Sequence, residues 1–231
     1  MKQIILILTT ILFLFSCEKK DTKSTSELQK NDSLSIDNQA IDTTATLFIA
    51  LFPLIKPENL HIYSPEYEDD TINKFYGKEI PASFCKYLKF YENNDPSSET
   101  RCHYFSCFQF KMTDIKIGLI VRSPSKYTTS AIGLYTWDNA QKKVTDITYL
   151  ADGYGDMGWH FSQNAWLKDL NNDKNIDVIT RRKDFHQFLY DTTKIERSDS
   201  SFVFLNNGTT FKKTNFNLDT SKFQIKDWKE K

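Results

Sequence analysis

Glycine and proline are scarce in this chain of 231 residues, with 7 and 6 copies, and methionine and cysteine are scarcer still, at 3 and 4. So little glycine excludes a collagen-like or glycine-rich low-complexity chain. No glycine-rich loop of the kind that cradles a phosphate is present. Neither sign of charge is in excess, since 30 Lys and Arg balance 30 Asp and Glu. Nucleic-acid binding needs a basic face that this balance does not supply. Beyond Phe15 no apolar run approaches the roughly 20 residues of a spanning helix. No segment recurs at a fixed period, so a full propeller is not expected. The GxSxG and HExxH spacings of common hydrolases are missing, and the four histidines, His61, His103, His160 and His186, are scattered. Neither a CxxC spacing nor a zinc pattern is present.

What is there begins with an export signal. Lys2 precedes an apolar run from Ile4 to Phe15, which ends at Ser16 and Cys17. A positive start, a short apolar core and a small residue before a cut site are the parts of a secretory signal. Leu14-Phe15-Ser16-Cys17 resembles the bacterial lipobox. That resemblance implies cleavage before Cys17, a diacylglycerol on its thiol and acylation of the new amino terminus. Two or more acyl chains hold a protein firmly at a membrane surface, where one chain holds only marginally. The competing reading is an ordinary cleaved signal that happens to end in cysteine, which would leave an exposed reactive thiol.

Residues 17–45 are rich in Ser, Thr, Asp, Asn, Lys and Glu. Such a segment cannot bury enough apolar surface to offset its ordering entropy, which makes it an expected flexible tether. Glu18-Lys19-Lys20-Asp21 loosely resembles the charged cluster that directs some lipoproteins to the outer face of an outer membrane. Asp32-Ser33-Leu34 and Asp42-Thr43-Thr44 resemble short O-glycosylation sites of exported proteins. The expected location is therefore the bacterial envelope, with the chain exported and lipid-anchored at the outer membrane on its periplasmic or surface face.

Residues 46–231 are of single-domain size. Their wealth of Phe and Tyr, with Ile and Thr, favours strands. A short apolar stretch, Leu47 to Ile55, reads as a helix or strand at the domain edge, and Leu60 to Ser64 as a short strand. Pro81 to Tyr91 places Phe84, Leu88 and Tyr91 on one helical face. A polar loop spans Glu92 to Thr100. Strands are expected at His103–Met112, Ile115–Arg122, Ala131–Trp137, Val144–Leu150, Trp159–Leu167, Ile176–Arg181, Phe185–Leu189 and Phe202–Leu205, with another beginning at Phe211. In the first of these, Tyr104, Ser106, Phe108 and Phe110 alternate with Phe105, Cys107 and Gln109. The expected fold is mainly β, an antiparallel meander with partial-propeller character and a small helical part; α+β is the looser description. Of Cys85, Cys102 and Cys107, at most one pair can bond: Cys85 with Cys102 or Cys107 would tie the helix to the sheet, Cys102 with Cys107 would close only a small loop, and all three could equally be small core residues.

One stretch carries metal chemistry. In Asp169-Leu170-Asn171-Asn172-Asp173-Lys174-Asn175-Ile176-Asp177, oxygen side chains fall at Asp169, Asn171, Asp173 and Asp177, and Asn175 can offer its carbonyl. Calcium takes six to eight hard oxygen ligands at about 2.3–2.6 Å from a tightly curled loop. Three carboxylates packed together repel one another without a cation. The loop resembles that of the FG-GAP and VCBS repeats of integrin-like propellers, and Val203 to Phe211 resembles the closing strand and turn of such a repeat. The resemblance implies a structural calcium ion. It is not an EF-hand, because Thr180 stands where that motif has a bidentate acid, and Lys174 stands where glycine is usual. The alternative is a turn that its Asx side chains stabilise unaided.

Just upstream, Ala151 to His160 holds three glycines, two aspartates and aromatics, which reads as an irregular loop. Asp152, Tyr154, Asp156 and Trp159 are its candidate ligand-facing residues. The expected function is a membrane-anchored, calcium-stabilised binding or structural module, more a binder than an enzyme, with a glycan or protein as ligand. The alternatives are a hydrolase of envelope or surface polymers using Asp152, Asp156 and His160, or an envelope assembly factor.

Overall fold

The computed structural model describes residues 43–65, 71–88, 103–123 and 131–226. They belong to one compact unit, Ile41–Lys231. Cys17, the charged cluster after it, Ser33, Cys102 and the loop at 92–100 lie outside the described residues. Among the described residues no helix is long and apolar enough to cross a membrane.

The first element of the described residues is α1 (Thr43–Ile49), which begins inside the expected tether. The strands are β1 (Leu60–Ile62), β2 (Lys78–Glu79), β3 (Phe105–Lys111), β4 (Lys116–Arg122) and β5 (Ile132–Asp138), then β6 (Lys143–Asp156), β7 (Trp159–Lys168), β8 (Asp177–Phe188), β9 (Asp191–Asn206) and β10 (Phe211–Thr214). Within the expected helix, Ala82–Tyr87 is a 3-10 helix, and the part beyond Leu88 lies outside the described residues. Strands β2 to β10 pair antiparallel in chain order, an open meander, and β1 pairs with β7. The mainly-β expectation holds.

The sheet divides at β6. Its first part, Lys143 to Ala151, pairs with β5, and its second, Asp152 to Asp156, pairs with β7. The register slips between Ile132 and Gly133, leaving Leu150 as the extra residue on β6. A bulge of this kind bends a strand and sharpens its twist. The two parts of the sheet therefore face each other across a shared core, in which Phe110, Ile120, Ile132, Leu134 and Leu150 of the first part meet Ala165, Leu167 and Val178 of the second. The outer face of the first part is covered by α1 and the 3-10 helix: Phe48, Phe52, Ile80 and Leu88 pack over Leu119, Val121, Tyr135 and Trp137.

The outer face of the second part is covered by the C-terminal segment, which packs Leu218 and Phe223 on Trp166, Ile179 and Val203. Arg181 fastens that segment. Its Nη1 donates to the carbonyls of Thr220 (2.9 Å) and Phe223 (2.8 Å), while its Nε and Nη2 grip the Asp199 carboxylate at 2.9 and 2.6 Å. Lys226 N–H donates to Asn164 Oδ1 at 3.0 Å, and His61 shares the same oxygen at 2.8 Å while stacking on Trp166.

Several expectations need correction. A bulge between Ser106 and Phe108 breaks the alternation of β3, so Cys107, expected opposite Phe108 and Phe110, joins both in the core. Cys85 is disulfide-bonded, and its partner lies outside the described residues. Cys107 is free and buried, which rules out the Cys85–Cys107 pair. Its thiol is pushed up to about 12 by burial, so it is inert. The strands expected at Ile176–Arg181 and Phe185–Leu189 are one continuous β8, and β9 starts at Asp191 rather than Phe202.

Gly118 shows how tightly the core is set. A Cβ there would stand 2.5 Å from Phe110 Cζ and 3.0 Å from Leu134 Cδ1, because Phe110, its cross-strand partner, lays its ring over the bare backbone. Gly118→Ala is expected to cost about 1–3 kcal/mol by overpacking, read as a lower urea midpoint at unchanged slope.

Candidate functional site

The segment Ala151 to His160 is a hairpin, not an irregular loop. β6 runs to Asp156, β7 starts at Trp159, and Met157 and Gly158 turn the chain with φ of 45° and 83°. Positive φ at both central residues is what a two-residue type I′ hairpin turn needs.

The hairpin joins the distal halves of β8 and β9 in a four-stranded extension. Its register sets side chains in rows across one face. Asp152 lies opposite Gln163, which lies opposite Arg182 and then Ser200. The next row is Tyr154, Phe161, Asp184 and Ser198, and the third is Asp156, Trp159, His186 and Glu196. Because side chains alternate along a strand, Phe161 and Trp159 share the face of Ala165 and Leu167. The rows thus continue the core-facing side of the second part of the sheet beyond the core itself. Asp152, Tyr154, Asp156 and Trp159 come together on this face. His160 does not: it lies in register with Gly155 and Phe185 on the opposite face. The expected hydrolase set of Asp152, Asp156 and His160 is therefore not assembled.

Rings dominate the face. Trp159 lies 5.8 Å from Tyr154 and 5.4 Å from Phe161, and His186 lies 4.2 Å from Phe188, centroid to centroid. Trp159 is 39% exposed, while Phe161 is 7% exposed, being covered by the Arg182 guanidinium 4.0 Å above it. Arg182 also grips Asp184, with Nη2 2.7 Å from Oδ1, and Ser198 Oγ donates to Asp184 Oδ2 at 3.0 Å. These bonds hold the Asp184 carboxyl below its ordinary range, the Arg182 bond contributing most. Tyr154 Oη donates to Asp156 Oδ2 at 3.1 Å, and Lys194 Nζ stands 4.0 Å over the Phe188 ring. Asp152 differs from these. Burial raises its carboxyl to about 6, against the opposing pull of its bond from Gly153 N–H and of Arg182.

Sequence reasoning named four of these residues and missed Phe161, Gln163, Arg182, Asp184, His186 and Phe188. The signal was present: Asp152, Tyr154 and Asp156 alternate, as do Trp159, Phe161 and Gln163 on the far side of a two-residue turn.

The calcium-type loop joins β7 to β8. Asn172 and Lys174 are left-handed, with φ of 61° and 71°, which is the tight curl expected of it. Asp177 is fully buried, and its oxygens accept from Leu170 N–H and Asn206 N–H at 2.9 Å each. Burial raises its carboxyl, and the charges of Asp173 and Asp169 push it further the same way. Asp169 Oδ2 accepts from Lys174 N–H at 2.9 Å, whereas Asp169 Oδ1 is buried with no partner. Asp173 accepts from Asn175 N–H at 2.7 Å and from Asn171 Nδ2 at 2.9 Å. Among the described residues no three His, Cys, Asp or Glu side chains converge as a ready metal cluster; backbone N–H groups hold these carboxylates instead.

Compared with family models, curated proteins and solved structures, the chain matches none of them.

Asp152 yields a test. A carboxyl raised in the folded state opposes folding once it ionises, so stability falls as pH rises from the ordinary carboxylate range of about 4 through the folded value of about 6. Asp152→Asn, which keeps an acceptor for Gly153, is expected to raise Tm at pH 7.5 and leave it unchanged at pH 3.5, measured by thermal melts of both chains.

Proposed function

We propose that this chain is a non-catalytic binding module, lipid-anchored through Cys17 in the bacterial envelope, that presents the open face of its four-stranded extension to a ligand. The observation that carries the reading is the position of that face. Its rings continue the core-facing side of the same strands, and they run from buried Phe161 out to Trp159, which is 39% exposed. Monomeric proteins rarely leave such a surface open without a use, and functional aromatic surfaces combine rings with a few oriented polar groups. Arg182, Asp184 and Ser198 supply those groups already locked to one another. The anchor reading rests on Leu14-Phe15-Ser16-Cys17. It places the module at a membrane surface through its lipid, with the acidic and aromatic face free to meet what lies outside.

The loop from Asp169 to Asp177 serves in this reading as a calcium clip at the base of the extension. Its donor set fits a hard cation in one telling respect: Asp169 Oδ1 is a buried oxygen with nothing to accept from, a costly state that a cation would relieve. Asp169, Asn171, Asp173, Asp177 and the Asn175 carbonyl would hold the ion, and its charge would offset their mutual repulsion. The ion's work is to pin the β7–β8 connection, not to activate a substrate.

Two outcomes are expected. Trp159→Ser and Phe188→Ser should each change the free energy of unfolding by under about 1 kcal/mol, because a binding face contributes little to the fold. A loss of several kcal/mol in denaturant melts would reassign these rings to stability. For the clip, melting in 10 mM calcium against chelator should show stabilisation of roughly 1.4–2.7 kcal/mol for a dissociation constant of about 0.1–1 mM, or about 3–10 °C. The shift should vanish in Asp173→Ala and in Asp169→Ala. An unshifted wild type would leave the loop an unaided Asx turn.

A further inference from the structure

We infer that the ligand of the open face is an uncharged glycan. The inference rests on the binding reading above and adds the chemistry of the ligand.

Charge comes first. The three rows carry four carboxylates, Asp152, Asp156, Asp184 and Glu196, against one guanidinium, Arg182, and Lys194 adds one further cation on this face, 3.6 Å from Glu196, so acid still outweighs base. An anionic ligand, whether a phosphate, a sulfated sugar or an acidic peptide, meets net repulsion here. A basic peptide is the natural complement of an acidic face, but two of its docking positions are already filled from within. Arg182 occupies the face of Phe161 and Lys194 that of Phe188, the places where a partner's cations would gain most from ring contact. Asp184, the carboxylate between them, is bonded to both Arg182 and Ser198.

An apolar peptide surface fails for a different reason. Trp159 cannot be covered without also covering its row neighbour Asp156, and stripping water from a carboxylate that gains no donor in return is costly. The donors of the face, Arg182, Lys194, Tyr154 and Ser198, are turned onto its own carboxylates, which outnumber the cations and are interleaved row by row with rings. A ligand suited to it brings neutral donors at its rim and C–H surface on its flat sides. Sugar rings have both: hydroxyls donate to carboxylates and to the Gln163 amide oxygen, while the ring's C–H face lies on Trp159 and Tyr154.

The bare backbone behind the rows matters too. Gly153 and Gly155 alternate with Asp152, Tyr154 and Asp156 on β6, so two of that strand's positions carry no side chain on the opposite face. What the β6 edge of the extension offers is therefore concentrated on the face with the rings.

The test is affinity electrophoresis in native gels of the mature chain, residues 17–231, with Cys17→Ser to remove the lipid. The gels are cast with soluble uncharged polysaccharides (a mixed-linkage β-glucan, a xylan and a mannan), with heparin, or with polylysine. Retardation by at least one uncharged polysaccharide is expected. Its apparent affinity should fall at least tenfold in Trp159→Ala and recover in Trp159→Phe. His160→Ala, on the opposite face, should bind as wild type does. Retardation only by polylysine or only by heparin, lost in Trp159→Ala, would overturn the glycan and keep the binding face. Wild-type mobility in every gel would overturn the glycan; the binding reading then stands or falls on whether Trp159→Ser and Phe188→Ser destabilise the fold.

Discussion

Everything in this fold follows from one strand serving two sheets. β6 gives its first residues to β5 and, beyond the bulge at Leu150, its last ones to β7. Without that bend the nine-strand run from β2 to β10 would be a single open sheet with two wet faces. With it, the first part folds over the second and makes the core that holds Leu150 and Ala151 at the turning point, 0% and 1% exposed. The same bend limits the core. The first part of the sheet ends where β6 leaves it, so the longer strands β7, β8 and β9 run on past it. Core and open face are two lengths of the same side of the same strands.

The strands that reach the core were legible in the sequence because burial writes itself in apolar residues. Ile117 to Val121 and Ile132 to Trp137 could hardly be read otherwise, and the two-state alternation of the hairpins follows from the pleat. The distal halves of β8 and β9 were not legible, for the opposite reason. Residues 191–199 are all exposed, and Asp-Thr-Thr-Lys-Ile-Glu-Arg-Ser-Asp carries no pattern that distinguishes a wet strand from a loop. What makes it a strand is its pairing with β8, a long-range fact. Met157-Gly158 hid the hairpin for a related reason: methionine is not a residue that advertises positive φ. The bulge at Cys107 was equally invisible, since a one-residue slip leaves composition untouched and changes only which side chains meet.

The candidate site was legible in its parts and not in its assembly. Asp152, Tyr154, Asp156 and Trp159 could be named from the density of aromatics and acids. Their partners on β8 could not, because Arg182 and Asp184 read as ordinary surface charges until the register sets them beside Phe161 and Tyr154. The acidic loop was the reverse case. Its spacing stood out, and the structure adds what spacing cannot show: Asp177 is the member that ties elements together, accepting from the loop's start at Leu170 and from the end of β9 at Asn206. A buried carboxylate with two backbone donors joins the β7–β8 connection to the far side of the sheet whether or not an ion sits beside it.

The edge of β9 carries a consequence of its own. β10 pairs only with Val203 to Asn206, so among the described residues no strand joins the outer side of the strand's earlier residues, which form a margin of the sheet. A long bare margin of this kind invites another strand to join it, from a neighbour or from a misfolded copy. Lys194, Glu196, Arg197 and Asp199 stand along it with alternating sign, and adding a strand in most registers would set like charges together or strip them of water. A protein crowded with its own copies on a two-dimensional surface would meet that hazard at far higher local concentration than one dispersed in three dimensions. The polar run that conceals β9 from a reader of the sequence is thus the same feature that conceals its edge from other chains.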